Sequence, residues 1–578
     1  MARPTTRKTP PDKPASRGAR AGAAARRAAQ PSLFEAPPPP EPDEEPEPEP
    51  RPARAGRTPA RRRPGAAEMA AQQREISVSE FFTKNRHLLG FDNPRKALLT
   101  TVKEAVDNAL DACEEAGILP EVEVVIEQHA EDRLTARVRD NGPGIVKDQI
   151  PKVFGKLLYG SKFHRYRQSR GQQGIGISAA GMYGLLTTGR PVVITSRTSP
   201  RKPAHHYEIA IDTRHNRPEI LRDEQLPTPP FAQGTEVAIT LEGQFTRGRR
   251  SVEEYLELTA LANPHATVRY TAPGTEPRDW TRVTDEAPPE PREIRPHPHG
   301  VELGTLLKIL RDSSARHLAQ ALADNFSRVT ARVAAEICEK AQVSAKASPR
   351  TLDTRAVERL YRAIPAVKIQ APPTNCLVPI GAGLIERALR QRIPADFFAS
   401  CSRPPAVYRG NPFLVEVGLA YGGGLPADDL VEVLRFANRV PLVYQAGACS
   451  ITKAVVQTNW KAYGLQQGKG APPVGPAILF VHLASVWVPF TSESKEAIAS
   501  YPEIIKEIRL ALMDVGRKLG VFLNRRARLA AEEKKQAFIG KYIPQIGIAL
   551  QQILALPDSQ RDRAVAQLKD ILERSRKM

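Results

Sequence analysis

The sequence has few cysteines and no metal-binding pattern of cysteine and histidine. Its 578 residues include five cysteines, none of them in a C-x-x-C pair or near a histidine at zinc-ligand spacing. This scarcity argues against a disulfide-stapled scaffold and a structural zinc site, so we expect reduced, buried thiols.

Long apolar segments are also missing. No apolar segment follows the basic N-terminus, which argues against a secretory signal. The longest apolar run, residues 474–490, contains Pro476, His482 and Pro489. At about seventeen residues it is short for a membrane span, so we expect a buried strand and no membrane partner.

Negative charge is under-represented. The formal net charge is +20, of which residues 1–73 carry +5 and the rest of the chain +15. This excess suits a polyanionic partner such as DNA, although charge that serves only solubility is an alternative. Residues 1–73 are rich in proline, alanine, arginine and glutamate, so we expect a disordered tail there.

Residues 96–115 have the periodicity of an amphipathic helix. Apolar side chains recur on one face, at Leu98, Val102, Ala105, Val106, Ala109 and Cys113. On the opposite face, Glu104 and Asn108 place a carboxylate and a carboxamide one turn apart, pointing in the same direction. Asp111 and Glu115 continue this face. A solvated polar face is the alternative interpretation.

A strand and a tight turn come next. Leu134, Ala136 and Val138 alternate as in a half-buried strand, and the alternation ends at Asp140 before the turn at residues 141–144. Glycines beside a carboxylate let a flat ring approach the backbone while the acid accepts a hydrogen bond from an exocyclic amine. An aspartate that only forms the turn is the alternative.

Glycines recur in residues 170–184, where small residues that can start a helix follow a loop. Free backbone N–H groups and a helix N-terminus together form an anion-binding site. Such a glycine loop is weak evidence alone. The specific signal is the order of an E-x-x-D-N helix, a D-x-G-x-G turn and a glycine loop within about eighty residues.

This order resembles the Bergerat-fold (GHKL) ATPases, the group of gyrase, heat-shock chaperones, histidine kinases and MutL. Residues 159–164 (YGSKFH) and 170–178 (RGQQGIGIS) are similar to motifs of the B subunits of type IIB DNA topoisomerases, the topoisomerase VI group. The resemblance implies an α+β multidomain fold: a Bergerat (GHKL) ATPase α/β sandwich, a helix-two-turns-helix insert, and an S5-like α/β transducer domain with a long C-terminal helix.

Three or four domains are expected for this length. The disordered tail is expected over residues 1–73, and the resemblance implies a GHKL ATPase domain over 74–298, a helix-two-turns-helix domain over 299–375, a transducer domain over 376–535 and a helical tail over 536–578 that docks the A subunit. In the ATPase domain, alternation predicts strands at 122–126, 134–139, 192–196, 206–211 and 236–241. A long helix is predicted from residue 492 to about 528, interrupted near Tyr501 and Pro502.

The resemblance also implies roles for single residues. Glu104 is expected to be the general base of ATP hydrolysis and Asn108 a ligand of Mg²⁺. Asp140 is expected to bind the adenine amine with support from Thr235, although Thr235 also fits a simple strand start. Lys461, in a W-K-x-Y segment, is expected to reach the γ-phosphate, although a surface lysine is the ordinary alternative. The other expected nucleotide contacts are Gly142, Gly144, Ser161, Lys162, Arg170, Gly171, Gln172, Gln173, Gly174, Ile175, Gly176 and Ile177.

The implied cofactors are ATP and Mg²⁺, and the implied partners are double-stranded DNA, a second copy of the ATPase domain and the A subunit of topoisomerase VI. DNA cleavage in this group needs a tyrosine and an acidic cluster containing Asp-x-Asp, a pattern that occurs nowhere in the sequence. A separate A subunit is therefore expected to cleave DNA, within an A2B2 heterotetramer in the cytoplasm at the nucleoid.

Other functions share parts of this pattern. A sensor histidine kinase would need a dimerisation helix with a phospho-accepting histidine, and none is evident. A MutL-like or chaperone-like GHKL ATPase clamp without strand passage also joins a Bergerat domain to an α/β domain. The helical insert, the glycine loop and the W-K-x-Y segment favour the topoisomerase. Intact Glu104 and Asn108 argue against a DNA-binding scaffold without catalysis.

Overall fold

The computed structural model describes residues 80, 82, 84–160, 165–171, 174–212, 215–228 and 230–575. The tail expected over residues 1–73 lies outside them. The first part of the fold contains helices α1 (Arg86–Leu89), α2 (Pro94–Glu115), α3 (Ile150–Gly155), α4 (Gly176–Thr188) and α5 (Val252–Ala262), and strands β1 (Glu121–Gln128), β2 (Arg133–Asp140), β3 (Val192–Arg197), β4 (Ala204–Asp212), β5 (Arg217–Leu226), β6 (Gly234–Glu242), β7 (Thr267–Thr271) and β8 (Arg278–Trp280).

The local sequence of helix α2 sets its N-terminus. The Asn93 side chain accepts hydrogen bonds from the backbone N–H groups of Arg95 and Lys96, at 2.9 and 3.4 Å, and Pro94 occupies the first helical position. The predicted apolar face is buried, which confirms the helix. The opposite face is only partly exposed, because Asp111 is buried as well.

The strands of this part form one sheet in the order β5-β4-β3-β6-β2-β1-β7-β8, in which only β1 and β7 pair in parallel among the described strands. The five predicted strands are confirmed, each with slightly wider bounds. Sequence reasoning missed β5, β7 and β8. Strand β5 is exposed along most of its length at the sheet edge, so it lacks the apolar alternation on which the prediction relied.

Strand register positions the functional turn. Val138 of β2 pairs with Val124 of β1 and Val237 of β6, and this apolar row lies in the core beneath α2 and α4. One step further along β2 and β6, Arg139 pairs with Glu236. Asp140 and Thr235 therefore meet where β2 ends and β6 begins.

A helical part follows, with α6 (Leu303–Asp312), α7 (Leu318–Asn325), α8 (Ala331–Lys340) and α9 (Thr354–Ala363). Its apolar residues form a separate core that includes Leu306, Leu322, Ile337 and Leu360. Side-chain caps begin α8 and α9, where Thr330 accepts from the N–H of Val333 and Asp353 accepts from the N–H of Ala356. These helices are short and are separated by turns.

The last α/β part contains α10 (Ala382–Arg392), β9 (Phe397–Ser402), β10 (Ala406–Tyr408), β11 (Asn411–Tyr421), β12 (Glu432–Ala437), β13 (Val440–Pro441), α11 (Ser450–Gln457), β14 (Gln466–Gln467), β15 (Pro473–Val474) and β16 (Ala477–Ser485). Its main sheet has the order β10-β11-β16-β12-β13, with β9 paired to β11. Strand β16 is almost fully buried, as predicted for the longest apolar run. The mixed fold agrees with the α+β class predicted.

The C-terminal helix starts later than predicted. Helix α12 runs over Pro502–Leu554 and is followed by α13 (Asp558–Ser575), whereas the sequence predicted a helix from residue 492. Pro502 takes the first helical position after an extended Tyr501, so the preceding segment forms a loop. This loop, residues 491–498, packs against the first α/β part.

All five cysteines are buried and unpaired, as expected. Within the described residues, no helix combines the length and apolarity that a membrane crossing requires.

Candidate functional site

A cavity of about 560 Å³ opens between α2, the end of β2, the glycine loop and the 491–498 loop. The predicted site residues that line it are Glu104, Asn108, Asp140, Gly144, Gly171, Gly174, Ile175, Gly176, Ile177 and Thr235. Residues from four separate stretches of sequence thus meet at one concave surface. Four other predicted contacts, Ser161, Lys162, Gln172 and Gln173, lie outside the described residues.

Helix α2 contributes the polar side of the cavity. Glu104 is half-buried and Asn108 is exposed, and both line the cavity one helical turn apart. Their spacing is that predicted from the sequence. Asp107, between them in sequence, faces the other way and is buried against Tyr255, whose hydroxyl donates to Asp107 Oδ1 over 3.2 Å. Burial raises the pKa of Asp107 to about 6.

Asp140 is held in place by backbone groups at the end of β2. Its Oδ1 atom accepts from the N–H of Gly142 at 2.8 Å and from the N–H of Thr235 at 3.2 Å. The Thr235 hydroxyl lies 3.0 Å from that of Ser196, which also accepts from the N–H of Ile145. Burial raises the pKa of Asp140 to about 6, against the opposing effect of its two N–H donors.

Two glycines make room for the site. Gly144 has a φ of +69°, and a Cβ there would lie 2.3 Å from the carbonyl oxygen of Arg197. A Cβ at Gly176 would lie 1.8 Å from Glu104 Oε2. A larger residue at position 176 would therefore displace the Glu104 carboxylate from its place beside the first turn of α4. Gly142 does not line the cavity and instead acts on it through its hydrogen bond to Asp140.

The glycine loop leads into α4, whose N-terminus faces the cavity. Ile175, Gly176 and Ile177 line the cavity at the start of this 13-residue helix. The first backbone N–H groups of a helix have no partners within the helix, and the helix dipole favours an anion beside them. Together with Gly171 and Gly174, this end of the cavity has the properties of a phosphate-binding site.

The structure places Arg170 away from the cavity, so its expected contact with a nucleotide is not present in this arrangement of the chain. Arg170 is buried behind the loop, where its guanidinium donates to Asp111 at 2.7 Å, to Glu114 at 2.6 Å and to Asn263. It does not line the cavity. The physical reason is that acidic residues from α2 attract this arginine into the interior.

These residues belong to a buried ionic cluster, which we define as Asp111, Glu114, Arg170, His265 and Arg439. His265 Nε2 lies 2.7 Å from Glu114 Oε1, and Arg439 Nη1 lies 3.6 Å from the same oxygen. Burial opposes ionisation of Glu114, but Arg170, His265 and Arg439 hold its pKa well below the ordinary value. The cluster joins α2, the base of the glycine loop and the last α/β part.

Lys461 also lies away from the cavity in this arrangement of the chain. Trp460 is buried and donates from Nε1 to the carbonyl oxygen of Val455 at 2.9 Å, while Lys461 is exposed on a short 3₁₀ turn, Trp460–Tyr463. Lys461 does not line the cavity. Because the buried tryptophan turns its neighbour outward, the expected phosphate contact of Lys461 is not available in this arrangement of the chain.

A different lysine of the same part reaches the cavity. Glu493 and Lys495, from the 491–498 loop, line it next to α2, whose Lys103 donates to the carbonyl oxygen of Ser494. Lys495 adopts a φ of +54°, a conformation that a non-glycine residue keeps only when its surroundings hold it. The sequence analysis missed Lys495 because it assigned this segment to a helix. The available signal was the polar run at residues 492–495, ahead of Pro502.

The oxygen donors at the cavity suit a metal ion that is coordinated mainly by bound phosphates and water, with few protein ligands. Within the described residues, no three acidic, histidine or cysteine side chains come together as a metal site. Asn108 lines the cavity one turn from Glu104, and its carboxamide has one oxygen that can bind a metal. Mg²⁺ typically takes only one or two protein oxygens and fills its other positions with phosphates and waters, so the residues fit a phosphate-bound Mg²⁺.

Comparisons with known proteins agree with this geometry. Residues 93–243 match the family described as histidine kinase-, DNA gyrase B- and HSP90-like ATPase, and residues 372–535 match the family described as topoisomerase VI B subunit, transducer. The chain is 50% identical over 498 residues to the B subunit of type 2 DNA topoisomerase 6 from Methanococcoides burtonii, covering 86% of this chain and 80% of that protein. It is 46% identical over 509 residues to the protein of the same name from Archaeoglobus fulgidus, covering 87% of this chain and 83% of that protein.

The buried ionic cluster generates a stability prediction. Arg170→Met should destabilise the protein by about 3–5 kcal/mol, because the buried Asp111 and the partly buried Glu114 would lose their main counter-charge. The matched control is Arg222→Met, which removes an arginine with two carboxylate partners on the exposed strand β5. Urea unfolding followed by circular dichroism should show a lower midpoint for the first variant only. Equal midpoints would contradict a stabilising role of the cluster.

Proposed function

The chain belongs to the family of B subunits of type 2 DNA topoisomerase 6, and from this membership we propose that its cavity binds and hydrolyses ATP to drive DNA strand passage. The protein would act as the ATPase component of a type IIB topoisomerase. The observation that carries the proposal is the meeting of Glu104, Asp140 and the N-terminus of α4 at one cavity.

The two ends of the cavity suit the two ends of ATP. Asp140 would accept a hydrogen bond from the adenine amine, since its Oδ1 atom is already oriented by Gly142 and Thr235. Thr235 would thus support recognition through its backbone. The glycine loop and the first turn of α4 would bind the phosphates through backbone N–H groups. Lys495 would contact the terminal phosphate beside Glu104.

Hydrolysis would take place at the α2 end. Glu104 would act as general base by accepting a proton from the attacking water. Asn108 would hold Mg²⁺ through its carboxamide oxygen, and the bound metal would supply neutralisation of phosphate charge. Gly176 supports this assignment, because its missing side chain lets the phosphate-binding turn lie next to the Glu104 carboxylate.

The nucleotide would also control the arrangement of domains. Lys495 belongs to the transducer part, whereas Glu104 and Asp140 belong to the ATPase part, so a terminal phosphate would be bound by both. ATP binding would close a dimeric clamp on a DNA duplex, and hydrolysis would reopen it. A MutL-like or chaperone-like clamp is disfavoured by the match to the topoisomerase VI transducer family.

DNA cleavage would require a second protein. With no Asp-x-Asp in the chain, we assign the double-strand break to the A subunit of topoisomerase VI in an A2B2 heterotetramer, at the nucleoid in the cytoplasm. Helices α12 and α13 support a docking role, since they expose large apolar side chains: Leu529, Phe538, Tyr542, Ile546, Ile553 and Ile571.

Glu104→Ala should lower the rate of ATP hydrolysis by about 10²- to 10⁴-fold, the usual contribution of a general base. Nucleotide affinity should be largely retained, because the variant keeps Asp140 and the glycine loop. The matched control is Glu115→Ala, which removes an exposed carboxylate of the same helix outside the cavity. Steady-state phosphate release checks the first claim and equilibrium nucleotide binding the second. Unchanged turnover in Glu104→Ala would refute the assignment.

Adenine nucleotide affinity should depend on pH through Asp140. Its raised pKa of about 6 leaves the carboxylate ionised at neutral pH. In mild acid the group is protonated, and the adenine amine loses its charged acceptor. Affinity should be constant above neutrality and fall by up to about tenfold per pH unit below the pKa.

Asp140→Asn is the reference for this measurement. It should bind adenine nucleotide more weakly at neutral pH, and subtracting its pH profile should remove contributions from Asp107, whose pKa is similarly raised. Isothermal titration from mild acid to neutrality measures both profiles. Equal affinity of the two proteins at neutral pH would remove Asp140 from adenine recognition.

Strand passage should need two proteins. Supercoiled plasmid incubated with ATP and Mg²⁺ should be relaxed by this chain together with a topoisomerase VI A subunit, and by neither alone. The control is the same pair with Glu104→Ala in place of the wild type. Relaxation by the isolated chain would contradict the proposed division of labour.

A further inference from the structure

The 491–498 loop is bound to α2 by two contacts, an ion pair and a hydrogen bond. Glu496 Oε1 lies 2.6 Å from the ammonium of Lys96, and the carbonyl oxygen of Ser494 accepts from the ammonium of Lys103 at 2.7 Å. Lys96 and Lys103 are seven residues apart on α2, so they lie on the same side of the helix, two turns from each other. Lys495 stands between the two fastened residues and lines the cavity.

Both contacts are shielded from water. The Lys96 side chain is 15% exposed and that of Glu496 is 5% exposed. Burial works against the charge of Lys96, but its contacts with Glu496 and Asp92 raise its pKa above the ordinary value. An ion pair in such surroundings is screened less by solvent and salt than one at an exposed surface.

The second contact is buried more deeply. Lys103 is 8% exposed, and burial, with a smaller effect of Lys495, lowers its pKa, while Glu104 and Asp107 oppose the shift. A buried carbonyl that loses its donor is left unsatisfied, so this hydrogen bond defines the loop position strongly. The loop is also tied to its own domain, because Gln445 donates to Glu496 Oε2 at 2.5 Å.

We propose that Lys96 and Lys103 are positioning residues for ATP hydrolysis, which form a two-point latch that aims Lys495 at the terminal phosphate. The inference rests on the proposed function, since it concerns the same cavity. The left-handed backbone at Lys495 is maintained by the contacts on both sides of it. A displacement of about 1 Å at a reacting group can cost about 10²-fold in rate, so such a latch has a measurable effect.

The latch is distinct from the buried ionic cluster. That cluster joins the same two parts of the chain through Glu114, which meets Arg170 and Arg439. Glu114 lies more than 10 residues further along α2 than Lys103. Loss of the latch should therefore leave the domains joined while releasing Lys495. A general structural role predicts equal effects on all nucleotides, whereas an effect through Lys495 is confined to the terminal phosphate.

The test measures dissociation constants of ADP and of a non-hydrolysable ATP analogue for the full chain and its variants. Lys495→Met should weaken analogue binding by about tenfold and leave ADP binding unchanged, since ADP lacks the terminal phosphate. Lys96→Met and Lys103→Met should each produce a smaller loss in the same direction. Lys96→Met covers the case in which the more buried Lys103→Met fails to fold.

A double-mutant cycle shows whether Lys96 acts through Lys495. Lys96→Met combined with Lys495→Met should bind the analogue no more weakly than Lys495→Met alone. The matched control is Asp92→Asn, which removes the other carboxylate partner of Lys96 without touching the loop, and should bind both nucleotides like the wild type.

Three outcomes would overturn the latch. The first is that Lys96→Met and Lys103→Met bind the analogue like the wild type, although Lys495→Met binds it more weakly. The second is that a variant loses equal affinity for ADP and for the analogue. The third is that the losses of affinity add up in the double variant. Failure of the proposed function has a different signature, since the wild type itself would then bind neither nucleotide.

Discussion

The partly buried carboxylate of Glu114 is the point on which the arrangement of the site depends. It lies on α2 and meets Arg170 from the base of the glycine loop, His265 from the turn before β7, and Arg439 from the tip of the β12–β13 hairpin. Such a charge is costly to bury unless it is paired, so these partners must stay together while the protein is folded. One interaction thereby fixes the loop and the last α/β part relative to the helix that carries Glu104 and Asn108.

The β12–β13 hairpin shows how the transducer core is connected to this point. Asn438 and Arg439 form its two-residue turn, both with positive φ, and the N–H of Arg439 donates to His482 Nε2 at 3.0 Å. His482 is in turn bonded through Nδ1 to Glu416, which is fully buried in the sheet. A continuous series of buried polar contacts therefore runs from the transducer sheet to α2. The 491–498 loop provides a second contact between these parts, at the cavity itself.

Local patterns predicted much of the site. The period of α2 correctly placed its apolar face in the core, and Glu104 and Asn108 one turn apart on the opposite face. The family resemblance associated Thr235 with Asp140, and the Thr235 N–H donates to Asp140 Oδ1. The differences concern long polar side chains and one helix boundary. Arg170 occurs within a motif that suggests phosphate contact, but three carboxylate and carboxamide groups draw it into the interior. Lys461 follows a buried tryptophan that turns it outward. Lys495 lies in a segment for which the sequence predicted a helix, whereas the helix begins only at Pro502.

The sequence by itself determined α2, the strands with alternating burial, the glycine turn and the family to which they belong. These features follow from neighbours in the chain, through helical and strand periods, capping by Asn93 and the need for glycine at positions such as 144. Only the tertiary structure decided which cationic side chain faces the cavity. That choice depends on contacts across great sequence distance, such as the hydrogen bond from Lys103 to Ser494, which joins residues 391 positions apart. No local pattern specifies such a contact, because its energy arises only when separate elements bury the two groups together.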